Sequence, residues 1–218
     1  MRINNGWLEK EDGIEAVLDK NGKPTSNYYS LSYEKPLMIV WHYTSAKWYN
    51  LQNSKQVCET LLGRKTGASW HLTIDKDGKI YQNISFLKGA WGVVGKCTLN
   101  GKEEVINKVA VHIELENEGR VKKIGNNFYT WPWKENKILE VDSPVYKISS
   151  GEFQGALFTT FTNEQKRAAE SLLIAIKSEY KISIDNCLRT HHEFDPKRKD
   201  DPGPIWEDWL KSIKTELK

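Results

Sequence analysis

The sequence predicts an α/β fold, a central mixed β-sheet flanked by helices, and three observations carry that prediction. Leu37-Met38-Ile39-Val40-Trp41 is an unbroken apolar run, the pattern of a short strand covered on both faces. Residues 109–116 alternate, with Val109, Val111, Ile113 and Leu115 on one face and Ala110, His112, Glu114 and Glu116 on the other. Ala168, Ala169, Leu172, Leu173 and Ile176 fall at helical spacing behind the capping box Thr162-Asn163-Glu164-Gln165. The 218 residues, 39% hydrophobic and 28% charged, suit a single globular domain over the whole chain.

The other elements follow in chain order. Residues 1–35 are polar and turn-rich and read as an irregular lead-in wrapped on the domain. Thr44 and Ser45 end the first strand and are candidates to cap a helix in which Val57, Leu61 and Leu62 share a face and Gly63 is the stop. Ser69 to Asn83 reads as a hairpin: Trp70, Leu72 and Ile74 alternate with His71, Thr73 and Asp75, Asp77-Gly78 supplies the turn, and Lys79-Ile80-Tyr81 returns. Residues 118–160 show no period and read as an insertion or long loop carrying Phe128, Tyr129, Trp131 and Trp133. A last helix opens at Pro204 and buries Trp206, Trp209, Leu210 and Ile213.

Composition removes several function classes. A net charge of +3, from 32 basic and 29 acidic residues, is too small a surplus for a dedicated nucleic-acid binder. No apolar run reaches the roughly 18 residues of a membrane span. The N-terminus lacks the apolar core of a secretory signal, so synthesis in the cytoplasm is expected. Three widely spaced cysteines, Cys58, Cys97 and Cys187, offer neither a disulfide framework nor a CxxC site.

Ionisable residues concentrate in three places. His42 follows the apolar run, where open α/β sheets place their sites, although a lone histidine there is more often simply packed. His112, Glu114 and Glu116 form a row that is wet by default on an edge strand and costly to bury otherwise. Thr190 to Pro204 holds His191, His192 and several carboxylates between prolines, in a segment too irregular for a helix; its bland reading is a solvated charged loop. Together they contain two histidines and a carboxylate for a catalytic zinc shell, a separate carboxylate for proton transfer, and a lysine for a developing oxyanion.

Four ordered blocks resemble one family. They are Ile39-Val40-Trp41-His42-Tyr43-Thr44; Ala68 to Asp75 with Gly78-Lys79-Ile80-Tyr81-Gln82; Asn107 with Val111-His112-Ile113-Glu114-Leu115-Glu116; and His191-His192-Glu193 through Lys199-Asp200-Asp201-Pro202-Gly203-Pro204. They span about residues 36–117 and 160–210, and are similar to the zinc-dependent N-acetylmuramoyl-L-alanine amidases of the AmpD-like type, which include phage endolysins and relatives of the peptidoglycan recognition proteins. The resemblance implies that fold and one zinc ion held by His42, His191 and Asp201. His191 is chosen over His192 because it precedes Pro196 by five residues and Asp201 by ten, the family's spacing. It also implies Glu114 as the catalytic carboxylate, sharing water activation with zinc, and Lys199 as the lysine sharing the oxyanion. The bond cut would join N-acetylmuramic acid to the L-alanine of the stem peptide.

The chain also departs from that pattern. It has Trp91-Gly92 where the family often has Trp-His, and His112 where glycine is usual. Trp70 stands where several relatives carry a site tyrosine, with His71 beside it. Trp70, His71, Trp91 and His112 are the expected substrate contacts, with Trp131 and Trp133 as further candidates to pack on sugar. A peptidoglycan or muropeptide partner and a monomer are expected. The alternatives are a peptidoglycan-recognition module that binds without cutting and a structural zinc protein. All five candidate positions are filled, which favours the enzyme, and no cysteine stands near as a fourth ligand.

Overall fold

The computed structural model describes residues 1–45, 53–62, 66–130, 140–141 and 143–217. Strands β1 (Ile3–Asn4) and β2 (Trp7–Leu8) form a small hairpin; β3 (Ile14–Ala16) and β4 (Tyr29–Ser30) follow. Next come β5 (Met38–Tyr43), helix α1 (Ser54–Glu59), the antiparallel pair β6 (Leu72–Ile74) and β7 (Ile80–Gln82), and β8 (Lys88–Gly89), which pairs with β4. A second hairpin, β9 (Lys96–Leu99) and β10 (Lys102–Val105), leads through a short 3-10 turn into β11 (Ala110–Leu115). Strands β12 (Arg120–Ile124), β13 (Asn127–Thr130), β14 (Val145–Lys147) and β15 (Leu157–Thr159) precede helix α2 (Asn163–Tyr180). The chain ends with α3 (Ile184–Cys187), β16 (Arg189–Thr190), α4 (His191–Phe194) and α5 (Pro204–Glu216).

The main sheet has six strands in the order β16-β5-β11-β6-β7-β3. All neighbours are parallel except β6 and β7, so the sheet is mixed. Every residue of β5 is buried, which is why its sequence is an apolar run and not an alternation. The odd residues Ile39, Trp41, Val111, Ile113 and Leu115 pack in one core with Leu172, Leu173 and Ile176 of α2 and Trp206, Leu210 and Ile213 of α5. Met38, Val40 and Ala110 join a second core with Val93, Leu99, Ile106 and Val109 on the opposite face. His42, His112 and Glu114 share the parity of that second set, so they project from the face away from α2 and α5.

Several expectations need correction. The lead-in 1–35 is not irregular throughout: β3 extends the main sheet, pairing Ile14 with Ile80 and Ala16 with Gln82. A three-residue strand is too short to show a period. Residues 118–160, read as an insertion or long loop, contain a four-stranded antiparallel sheet, β13-β12-β15-β14, so they are not a long loop. Helix α1 is capped by the Asn53 side chain, which accepts from Gln56 N–H, and not by Thr44 or Ser45. The expected stop at Gly63 and the aromatic pair Trp131 and Trp133 lie outside the described residues.

The capping box of α2 forms as read, with Gln165 N–H donating to Thr162 Oγ1 at 3.0 Å and Thr162 N–H to Gln165 Oε1 at 3.2 Å. Gln165 does more than cap. It is fully buried, and its Nε2 donates to the Glu116 carbonyl at 2.9 Å, tying the helix to the end of β11. Replacing Gln165 by leucine strands these buried backbone partners, so stability should fall by about 1–3 kcal/mol at unchanged denaturant slope in urea unfolding. A loss below about 0.5 kcal/mol would show that the tie is dispensable.

Candidate active site

His42 lies near the carboxyl end of β5. His191 opens α4 directly after β16, whose Thr190 pairs with Trp41 in register. The parallel pairing of β16 with β5 therefore carries His191 to His42. Asp201 returns along a turn braced on itself: His192 N–H donates to the Asp201 carbonyl at 2.9 Å, and His192 Nδ1 bonds the Lys199 carbonyl at 2.6 Å. All three side chains are buried, with 2%, 4% and 5% exposure for His42, His191 and Asp201.

Their polar atoms converge on one point. His42 Nδ1 is 3.0 Å from His191 Nδ1 and 3.2 Å from Asp201 Oδ2, and His191 Nδ1 is 3.0 Å from the same oxygen. An imidazole Nδ1 carries at most one hydrogen and an ionised carboxylate none, so these three contacts cannot all be hydrogen bonds. A small cation held between them satisfies all three lone pairs at once. Two imidazole nitrogens and one carboxylate oxygen are a donor set that suits zinc with an open position. Burial opposes the charge on Asp201, but the adjacent His191 and His42 hold its carboxyl well below the usual range. Burial depresses His42 to about 4 despite Asp201, so the ring is neutral and its lone pair is available at pH 7.

Glu114 lies directly beside His42 in the parallel register of β11 and β5. Its Oε2 is buried without a hydrogen-bond partner. Burial, reinforced by the charge of Asp201 and offset by Lys199, raises its acid to about 8. Such a carboxyl can both take up and release a proton near neutrality. Lys199 reaches the same place from the other side, with Nζ 3.9 Å from Asp201 Oδ1 and its side chain 35% exposed.

The structure thus brings His42, His191, Asp201, Glu114 and Lys199 together. The other expected residues sit elsewhere. His71 and His112 have no exposed surface, so they lie behind His42 and not on a groove wall. Trp70 is partly buried, with Nε1–H bonded to Thr73 Oγ1 at 2.9 Å. Trp91 is exposed, its ring packed on Tyr29 with centroids 3.8 Å apart. Glu116, third in the row on β11, turns to α1 and accepts from Ser54 N–H and Oγ–H. His192 points away from the cluster, towards Glu152 and Phe153.

Two supports escape the sequence. Tyr43 donates its hydroxyl to Asp200 Oδ1, anchoring the turn one residue before Asp201. Gly119, at φ +70°, makes room for it, because a Cβ there would overlap the Tyr43 ring. Beside Lys199 and Asp200 opens a groove of about 770 Å³ between β12, residues 152–157 and residues 196–200. Arg120, Lys122, Lys123, Lys197 and Arg198 outnumber Glu152 and Asp200 in its lining, which leaves the groove with a positive balance.

The model of the N-acetylmuramoyl-L-alanine amidase family matches residues 32–204. Among solved structures, a selenomethionine derivative of AmpD superposes with a TM-score of 0.57 at 20% identity, covering 98% of this chain and 99% of that one. The amidase AmiD from E. coli, in complex with anhydro-N-acetylmuramic acid-L-Ala-D-γ-Glu-L-Lys, gives 0.53 at 22% identity over 94% of this chain and 66% of that one. AmpD from Citrobacter freundii gives 0.52 at 20% identity over 100% and 97%. These likenesses show the same fold. A search of curated proteins finds no significant match.

The buried imidazoles make the metal-free protein acid-sensitive. Burial lowers His71 to about 4, against an ordinary value of 6.5, so the unfolded chain binds its proton first. The stability His71 contributes is complete above pH 6.5 and is lost as pH falls towards 4. In metal-free protein, His71→Gln should reduce the loss of unfolding free energy across this window by about 1.4 kcal/mol per pH unit. Parallel slopes for wild type and variant would contradict the assignment.

Proposed function

The chain belongs to the N-acetylmuramoyl-L-alanine amidase family, and from that premise we propose that this site binds one zinc ion through His42, His191 and Asp201. With it the chain hydrolyses the amide between the lactyl group of N-acetylmuramic acid and the L-alanine of a peptidoglycan stem peptide. The observation that carries the reading is the convergence of three buried donor atoms at 3.0–3.2 Å next to an unpartnered Glu114 oxygen. When bound, zinc supplies Lewis acidity, which acidifies water and polarises a carbonyl.

The chain's own groups supply the rest. Glu114 Oε2, free of other hydrogen bonds, accepts the proton of the attacking water and then delivers it to the leaving amine. Lys199 Nζ places positive charge where the amide oxygen becomes an oxyanion. Tyr43 and the braced turn 191–201 hold Asp201 and Lys199 in place before substrate arrives. The basic groove beside Lys199 suits a peptide stem that carries carboxylates. No helix among the described residues is long and apolar enough to cross a membrane.

Three substitutions separate the roles, read as stem-peptide release from purified cell wall and from a soluble anhydro-muropeptide, with zinc content measured alongside. Glu114→Gln should lower turnover by roughly 10²–10⁴ with zinc retained. Lys199→Ala should lower it by roughly 10²–10³, also with zinc retained. Asp201→Ala should lose the metal. Zinc loss from the Lys199 variant, or stoichiometric zinc in the Asp201 variant, would refute those assignments. Wall binding by the wild type with no release from either substrate would instead identify a recognition module.

A further inference from the structure

His42 has a second ring nitrogen, and the mechanism does not use it. With Nδ1 facing His191 and Asp201, Nε2 lies on the far edge of the ring, 3.1 Å from His112 Nδ1. If Nδ1 gives its lone pair to a cation, the neutral imidazole must carry its hydrogen on Nε2. That N–H is buried and needs an acceptor. His112 Nδ1 is the only hydrogen-bond partner of His42 Nε2 among the described residues, and His42 is likewise the only hydrogen-bond partner of the His112 ring there, whose Nε2 has none.

The His112 ring is held where this bond requires it. Its backbone N–H donates to His71 Nδ1 at 2.9 Å, and His71 Nε2 bonds the Lys88 carbonyl at 2.9 Å, so two backbone groups fix the tautomer of His71. The two rings stack with centroids 6.0 Å apart. On the remaining side stands Gly92. A Cβ at that position would overlap Nδ1 and Cγ of His112 and come within 2.8 Å of Cε1. Residue 92 cannot retreat, because Asn107 Oδ1 accepts the N–H groups of Gly92 at 3.2 Å and Val93 at 2.9 Å. Gly92 and His112, two separate departures in the sequence, are one feature in space: the imidazole occupies the volume a side chain at 92 would fill.

We propose that His112 is a positioning residue for the metal centre. Its Nδ1 accepts the His42 Nε2–H, fixes the His42 tautomer and ring plane, and so aims Nδ1 at the cation, while Gly92 is the clearance that admits it. This rests on the zinc site proposed above. Outer partners of metal-binding histidines typically set affinity by 10–100-fold.

The test is zinc affinity by competition with a chromophoric chelator, which does not depend on turnover. Thermal unfolding of the metal-free forms checks that each variant is folded. His112→Leu keeps bulk and removes the acceptor, and should weaken zinc 10–100-fold. His112→Asn places an amide oxygen near the Nδ1 position and should stay within a few-fold of wild type. Gly92→Ala should weaken zinc as His112→Leu does, by displacing the ring. In the zinc-bound protein, the His42 Nε2–H proton resonance should persist in wild type and His112→Asn and be lost in His112→Leu. Unchanged affinity in His112→Leu, or equal weakening in the leucine and asparagine variants, would overturn the inference and leave the zinc site standing. A wild type that binds no zinc would remove both.

Discussion

The parallel pairing of β5 with β11 is the constraint on which the rest depends. Its register sets Val40 beside His112 and His42 beside Glu114, with Ile39, Trp41, Val111 and Ile113 on the other face under α2 and α5. Side chains alternate along a strand, so a slip of one residue in either strand would exchange ionisable groups for core residues. The apolar face therefore enforces the polar one. The large buried residues Trp41 and Trp206, with ring centroids 5.6 Å apart, hold the register that places His42 and Glu114 together.

Onto this frame the chain adds its remaining groups by a short return path. Pairing of β16 with β5 delivers His191, and the turn from 191 to 201, cross-braced through His192 and anchored by Tyr43 on Asp200, brings back Lys199 and Asp201. Desolvation then tunes each member differently. It keeps His42 neutral, is outweighed at Asp201 by the two imidazoles that face it, and raises Glu114, where the charge of Asp201 adds to it and Lys199 only partly offsets it. One buried environment thus yields two lone-pair donors, an anion and a carboxyl that exchanges protons near neutrality.

Much of this was legible in the sequence. The apolar run before His42, the alternation through Glu114 and the capping box of α2 each have a direct physical reading and correspond to an observed element, whereas the choice of His191 and Asp201 rested on the family resemblance. Periodicity could not say whether the face bearing His112, Glu114 and Glu116 is wet or covered; Gly92 packs on His112 and Ser54 of α1 bonds Glu116, so it is covered. Strand β3, three residues long, and the short strands between 120 and 159 carry too few residues for a period to emerge. The contact of Gly92 with His112 and the bond from Tyr43 to Asp200 join positions 20 and 157 apart, and no local pattern announces a partner at that distance. Substrate contacts were expected at His71, beside the position of the relatives' site tyrosine, and at His112, in place of the family's usual glycine, whereas both rings have no exposed surface.

The central claim is that one zinc ion, held by His42, His191 and Asp201, makes this chain an active amidase. Stepwise return of zinc to chelator-treated wild-type protein, with release of stem peptide from a soluble muropeptide as the readout, tests it most directly. The metal-free protein should release nothing, and activity should rise linearly and saturate at one zinc per chain. Full activity after complete metal removal, or a gain that requires more than one zinc per chain, would contradict it.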